Sequence, residues 1–421
     1  MKAETAIILA AGRGSRMHSE TPTALHAVAG RPIIDWMLGE MESCIKMPPV
    51  IVDRPGQEIA AHVGERARYA VQPESIGEAD ALQRGCELLP DGDALVLVLC
   101  GNLPLVDQTY LEAVMQAAQR DRAAMLTYTD EATAEMRACG IYCCEGALLK
   151  QAAQRCAPED SLEEWINAMR TLGVEAHALM LAETPMPAVV DRRTLSLCES
   201  LANAAIVQRH FENGVTLLDP ASVSIGADVI IGQDTVLWPN VVLAGKTKIG
   251  AKCVIKGGCQ LTDTRVGDGC TLTYVVANQA ELGAGIAAGP FVNLRPGTRI
   301  ADGCKIGDFV EVKNSNVGQG TKLPHLSYIG DADIGSGVNV GCGCVFVNYD
   351  GYAKHRTTVG DNVFLGCQTN LVAPVTVGDG AYTAAGSTIT HDVPPGAMAF
   401  ARARQNNKEG YVEKFRSLKK K

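Results

Sequence analysis

Ile225-Gly-Ala-Asp-Val-Ile-Ile231-Gly-Gln-Asp-Thr-Val-Leu237-Trp-Pro-Asn-Val-Val-Leu243 places an aliphatic at every sixth residue, and Ile249, Ile255 and Leu261 continue the series. Seven consecutive matches to one spacing are not a chance pattern. A period of six is neither that of a helix nor that of a half-buried strand. It is the mark of a parallel β-helix, in which each repeat forms one flat side of a coil and the aliphatic points to the axis. A small residue follows several of these aliphatics, as in Ile225-Gly226 and Ile249-Gly250, where it relieves crowding at the turn. The theme resumes with Leu282-Gly283, Ile306-Gly307, Val317-Gly318, Ile334-Gly335, Val340-Gly341, Leu365-Gly366 and Val377-Gly378. Between Val340 and Val359 the rhythm breaks for Asn348-Tyr-Asp-Gly-Tyr-Ala-Lys-His-Arg356, a polar, aromatic and basic stretch that a regular coil does not need. Such an insertion is where a binding site is expected.

Upstream the pattern is different. Ala6–Leu9, Val50–Val52 and Ala94–Leu99 read as strands, and Ile33–Glu42, Ala79–Leu89 and Gln108–Ala118 read as helices. This alternation predicts a parallel α/β sheet with ligands at the carboxyl ends of its strands. Arg192–Glu212 reads as one connecting helix, with Leu195, Leu201, Ala205 and Phe211 as packing positions. The expected divisions are an α/β domain over 1–191, the connecting helix over 192–213, the β-helix over 214–392 and a C-terminal tail over 393–421 that ends in a solvated lysine run.

The 421 residues suffice for two or three cores. A net charge of −9 argues against a general affinity for nucleic acid or anionic membrane. No apolar run is long enough to span a bilayer and the first residues lack a signal-peptide layout, so a soluble, cytoplasmic protein is expected. The fifteen cysteines include no Cys-x-x-Cys pair, and are expected to be reduced thiols serving as small core residues.

Several motifs now converge. Leu9-Ala-Ala-Gly-Arg-Gly-Ser-Arg-Met17, Asn293-Leu-Arg-Pro-Gly297, Val310-Glu-Val-Lys313, Pro324-His-Leu-Ser-Tyr-Ile-Gly-Asp331, Gly337-Val-Asn-Val-Gly341, Asn348-Tyr-Asp-Gly351 and Leu371-Val-Ala-Pro374 resemble the bacterial family of fused N-acetylglucosamine-1-phosphate uridylyltransferases and glucosamine-1-phosphate N-acetyltransferases. The resemblance is dense from Gly289 onward and loose before Asp191. It implies a nucleotidyltransferase-like (Rossmann-like) α/β domain followed by a left-handed parallel β-helix. It implies acetyl transfer from acetyl-CoA to the amine of glucosamine-1-phosphate, in the synthesis of UDP-N-acetylglucosamine, by a homotrimer. Carried over residue by residue, His325 is the general base, a role suited to a neutral imidazole. Arg295, Lys313 and Lys354 hold the sugar phosphate, and Tyr328 and Asn339 contact the sugar. Acetyl-CoA is implied at Cys342, Asn348, Tyr349, Cys367, Ala385 and Arg402, although Cys342 stands where the family has Ala and Cys367 where it has Ser.

In the first half the resemblance places a nucleotide sugar against Leu9, Ala10, Ala11, Gly12, Arg16, Gln72 and Gly77. Here the chain departs from the family. Thr23 replaces the Lys of Pro-Lys-x-Leu-His, Asn102 replaces the metal-binding Asp, and Gly77-Glu-Ala79 replaces Gly-Thr-Gly. The second metal position falls on Asp191, and the segment from Thr129 to Cys139 is too short to carry the family's sugar-binding turn, with Ala138 in place of an Asn. The expectation is a retained fold that has lost uridylyl transfer, so that Mg2+ and a uridine nucleotide matter only if that activity survives. Three alternatives compete. One keeps both activities. Another is a zinc carbonic anhydrase on a similar coil, which His325, His355 and His391 do not support as a ligand set. The third is a non-enzymatic binding or scaffold protein whose N-terminal domain senses a nucleotide sugar, which the retained His325, Arg295 and Lys313 argue against for the C-terminal half but not for the N-terminal half.

Overall fold

The computed structural model describes residues 2–129, 135–181 and 186–418. The lysine run 419–421 and part of the shortened segment, 130–134, lie outside the described residues. Two compact units divide between Ile206 and Val207.

In the first unit seven strands form one sheet in the order Arg68–Val71, Val50–Asp53, Thr5–Leu9, Leu95–Cys100, Met136–Glu145, Ala123–Thr129, His177–Met180. The first four run parallel, as expected from the strand–helix alternation. The parallel sheet carries one exception, Met136–Glu145, which is antiparallel to both of its neighbours. The chain between Ala123–Thr129 and this strand is shorter than the dozen or more residues that a parallel return requires. Leu95–Cys100 lies between two paired neighbours, and this double burial explains its uninterrupted apolar run. The strand order reverses between Thr5–Leu9 and Leu95–Cys100, which opens a crevice at their carboxyl ends.

The helix Arg192–Glu212 forms over the expected residues, but its buried face is Cys198, Ala202, Ile206, Val207 and His210. Leu195 and Leu201 are only half-buried, and Ala205 and Phe211 are exposed. The misreading came from favouring large side chains. A stripe containing a cysteine, an alanine and a histidine carries little hydrophobic signal.

The second unit is a parallel β-helix whose strands fall into three sheets of eleven, ten and nine strands, each strand pairing with the third one along the chain until the last pair, Tyr382–Thr383 with Met398–Ala399. Leu217, Leu237, Ile255, Leu272, Ala288, Ile306 and Leu323 stack in register along one wall, all buried. The seven aliphatics that set the period are all core residues. Corners are closed by small side chains that can donate a hydrogen bond. Thr235 and Thr321 donate to Gly250 O and Gly335 O at 2.8 Å, and the thiols of Cys253, Cys270, Cys304 and Cys344 do the same to Gly267, Gly283, Gly318 and Gly366 at 3.1–3.3 Å. All fifteen cysteines are free, and four of them thus serve as threonine-like corner posts. The tail is more ordered than its sequence suggests, adding a strand at Met398–Ala399 and an exposed helix at Tyr411–Leu418.

Val317 pairs with Ile334, yet Ile334 pairs with Val359, so one coil carries extra length. That length is the loop around residues 348–356, emerging where the sequence placed it.

Candidate functional sites

The register of the β-helix decides which predicted residues meet. Asp308 pairs with His325 in adjacent strands, and the pairings Asn339 with Phe364, Val340 with Leu365 and Leu365 with Thr383 place Cys342, Cys367 and Ala385 in line along one edge. The predicted base therefore stands at the foot of a column of small side chains. Rungs are spaced by about 4.8 Å, so the column rises roughly 14 Å above His325. Arg402 follows in the exposed segment beyond the last strand. His325 is 57% exposed, and its Nδ1 lies 2.8 Å from Asp308 Oδ1. Asp308 escaped the motif reading. It precedes His325 by one coil, and writing the sequence as stacked coils would have found it.

The phosphate-binding candidates gather at the other end of the strand Tyr328–Gly330. Lys313 pairs with Gly330, and Arg295 stands one coil before Lys313. A Cβ on Gly330 would fall 2.5 Å from the Tyr328 hydroxyl and 2.7 Å from the Asn348 amide, so only glycine lets these groups close over the strand. Lys354 arrives from the inserted loop. The neighbouring Lys313 ammonium holds the pKa of Lys354 below the usual lysine range, the expected effect of two cations brought together. Arg295 is paired with Glu311 at 2.9 Å, and Asn339 lies on the adjoining face, in register with Lys322 and Phe364.

Two carboxylates that the sequence did not single out anchor the loop. Asp331 is buried, and its oxygens accept from the amides of Asn314 and Asn348. Burial works to raise its pKa, but those bonds and the nearby Lys313 and Lys354 outweigh it and hold the group below the usual carboxylate range. Asp333 is held low by Arg356, which also donates to Asn314 O and Ala332 O. Asn348 therefore spends its side-chain amide on the loop anchor. Within the loop, Asp350 caps Tyr352 and Ala353 and meets His355 at 2.7 Å, while exposed Tyr349 donates to Gly351 O.

In the first unit Leu9, Ala10, Ala11, Gly12, Arg16, Gln72, Gly77 and Asn102 all line one cavity of about 360 Å³ at the carboxyl ends of Thr5–Leu9 and Leu95–Cys100. Gln72 is buried and donates to Gly77 O and Asp80, bracing the wall. Thr23 lines the same cavity where the family has a cation. A second cavity of about 740 Å³ shares Glu78, Cys100, Asn102 and Val190, and includes Ala138 and Tyr128. Burial pushes the Cys100 and Cys139 thiols in its wall up to about 12, leaving them unreactive near neutrality.

Asp191 does not line either cavity. Its carboxylate caps the helix Arg192–Glu212, accepting from Thr194 N at 2.8 Å and from the Thr194 hydroxyl, and these bonds hold its pKa low. The residue that faces the cavities at this point is Val190. Asn102 Oδ1 is buried without a partner while its amide nitrogen donates to Val189 O. One neutral amide oxygen beside two valines is a poor holder for Mg2+, which takes near-octahedral oxygen ligands including a carboxylate. Asn102 and Asp191 do not fit the ion as a pair.

Residues 6–214 match the family model of the MobA-like NTP transferase domain, and residues 228–263 and 356–391 match that of the bacterial transferase hexapeptide (six repeats), the repeat of the left-handed β-helix. Among similar proteins is the bifunctional protein GlmU of Brevibacillus brevis, 39% identical over 97% of this chain and 97% of its own. Its namesakes from a Geobacillus species and from Thermoanaerobacter pseudethanolicus are 37% and 38% identical, covering 99% and 98% of this chain and 98% of each relative. The chain belongs to the GlmU family. These relatives are named bifunctional, and the match spans both units. Among the described residues, no helix is long and apolar enough to cross a membrane.

Proposed function

We propose that the β-helix unit transfers an acetyl group from acetyl-CoA to the amine of glucosamine-1-phosphate, and that the α/β unit has lost uridylyl transfer. The observation that carries the first half is the convergence of Lys313 and Lys354 beside Tyr328. A lysine ammonium held below its usual range by a second ammonium beside it calls for an anion between the two, and a phosphate monoester supplies it. The column Cys342, Cys367 and Ala385 offers an extended thioester arm a track of small side chains leading down to His325.

In this reading His325 takes a proton from the sugar ammonium. The freed nitrogen attacks the thioester carbonyl, a C–N bond forms as the C–S bond breaks, and coenzyme A leaves as its thiol after regaining a proton. The proposed assembly is a homotrimer. Its support is an exposed apolar ladder, Tyr274, Phe291 and Phe309, stacked at 5.3 Å between ring centroids, a surface suited to a second copy.

The loss of uridylyl transfer rests on Thr23, Val190 and the capping role of Asp191. The second reading, in which both activities survive, accords with the bifunctional name of the similar proteins. Separate assays decide: acetyl transfer should be present and magnesium-dependent UTP consumption absent, whereas robust formation of UDP-N-acetylglucosamine from UTP would establish the second reading. His325→Ala should lower acetyl transfer by about 10²–10⁴-fold. A folded variant retaining a third of wild-type turnover would remove His325 from the mechanism.

A further inference from the structure

His325 has two ring nitrogens, and only one can face the substrate as a lone pair. Which one is set by the partner of the other. Asp308 and His325 are register partners in adjacent strands, Lys305–Asp308 and Lys322–His325. Leu326 N donates to Asp308 O at 2.9 Å, and the Ser327 hydroxyl donates to His325 O at 2.8 Å, so the backbone on both sides of the pair is tied. The carboxylate approaches Nδ1 at 2.8 Å. An ionised carboxylate is only an acceptor, so this contact requires the proton to sit on Nδ1. Contact with the ring also holds Asp308 below the usual carboxylate range, which keeps it an acceptor at neutral pH.

We propose that Asp308 is a positioning residue for acetyl transfer, fixing His325 in its Nδ1–H tautomer so that Nε2 is the atom presented to the amine. The proposal rests on His325 as the base. Other polar groups do not substitute for this contact. Lys305 and Lys322, on the same two strands, are cations, and the next residue up the column is Cys342. Glu311 belongs to the neighbouring face and is committed to Arg295. The bland alternative is an exposed ion pair that contributes little to anything. The two differ in what Asp308→Asn changes. An amide can accept from Nδ1–H or donate to bare Nδ1, so the tautomer is no longer dictated. Replacing a carboxylate that orients a catalytic histidine by its amide costs up to ~10⁴-fold in a buried site. At this half-exposed site a fall of roughly 10–10²-fold in kcat is expected, with both Michaelis constants within about twofold.

The test combines kinetics with ¹⁵N–¹H spectra of histidine-labelled full-length protein, in which the two nitrogens of His325 report the tautomer directly. Wild type should show Nδ1–H. Asp308→Asn should show a mixed or reversed tautomer together with the loss of kcat, and Asp308→Glu should recover part of both. An Nε2–H tautomer in wild type overturns the proposal even if the variants fail to fold. So does an unchanged tautomer or an unchanged kcat in Asp308→Asn. If His325→Ala keeps its turnover, the reading of His325 as base fails, and the wild-type tautomer still reports separately on Asp308.

Discussion

Gly307→Ala is the sharpest test of how the coil aims its chemistry. Gly307 has ordinary backbone angles, so its role is space alone. A Cβ built there would lie 1.7 Å from the carbonyl oxygen of Pro324, the residue before His325. Relieving that overlap to an ordinary contact needs the two strands to part by roughly 1.5 Å. Neither side yields easily, because the obstacle is backbone and Ile306 and Leu323 are locked in the core on the same rungs. Overpacking of this kind costs about 1–3 kcal/mol, which lowers Tm by several degrees in a unit of this size. The same displacement moves His325 relative to Asp308 and the small-residue column. A misplacement of ~1 Å in catalytic geometry costs about 10²-fold, so kcat for acetyl transfer should fall by that order. Gly320→Ala is the control. Gly320 has φ +68° and nothing within 4 Å, so alanine there pays about 1–2 kcal/mol of left-handed strain without pushing on a neighbour. The two variants should lose similar stability, and only Gly307→Ala should lose activity. A Gly307→Ala protein with kcat within twofold of wild type would refute the claim that coil spacing at this rung positions the base.

Lys354→Ala should raise the Michaelis constant for the sugar phosphate about tenfold and leave that for acetyl-CoA unchanged, because a phosphate-directed cation is lost; equal rises in both would make it a structural residue. Lys313→Ala should move the Lys354 titration up towards the ordinary lysine value, read by NMR of labelled lysine, since Lys313 is the main cause of its depression. Acid should loosen the inserted loop. Asp331 and Asp333 have folded pKa values below the unfolded ones, so their stabilisation is fully present above the usual carboxylate value of ~3.9 and is lost as pH falls through the lowered values. Loop cleavage by an acid-active protease should therefore be slow at pH 5 and fast below about pH 3, and equal rates would count against this anchor.

The β-helix was legible because its period is written in large aliphatics, one per flat side, and every one of the seven that set the period is buried. The inserted loop was legible for the same reason, as a break in an otherwise steady count. What the motifs did not reveal was the partner of each functional residue. Asp308 and Asp331 act across coils, and cross-coil neighbours lie about one coil apart in the chain, beyond the reach of a local motif. Nor did the motifs show that the Asn348 amide nitrogen donates to Asp331. In the first unit the cavity-lining residues were legible from the glycine-rich loop, but the antiparallel strand and the true packing face of the connecting helix were not. Both depend on tertiary pairing that short side chains do not advertise.

The contrast between Asp191 and Lys354 shows what residue identity alone leaves open. Each is a charged residue close to a candidate site in the sequence. Asp191 is satisfied locally: a helix N-terminus lies next to it, and Thr194 occupies its carboxylate from both backbone and side chain. Lys354 has the opposite surroundings. It is exposed on a loop that Asp331 and Asp333 pin to the coil, and its closest charged influence is another cation. A carboxylate already spent on a cap is a weak claim on a metal, and two like charges held together are a strong claim on a counter-ion. The same asymmetry runs through both units. The α/β cavity keeps its wall but presents Val190 and the neutral amide of Asn102 at the two places where the family binds its metal, while the β-helix uses buried Asp331 and half-exposed Asp333 to pin a loop that brings Lys354 beside Lys313. What each charged group is engaged with, rather than its identity, separates the two units, and on that criterion the proposed chemistry belongs to the β-helix.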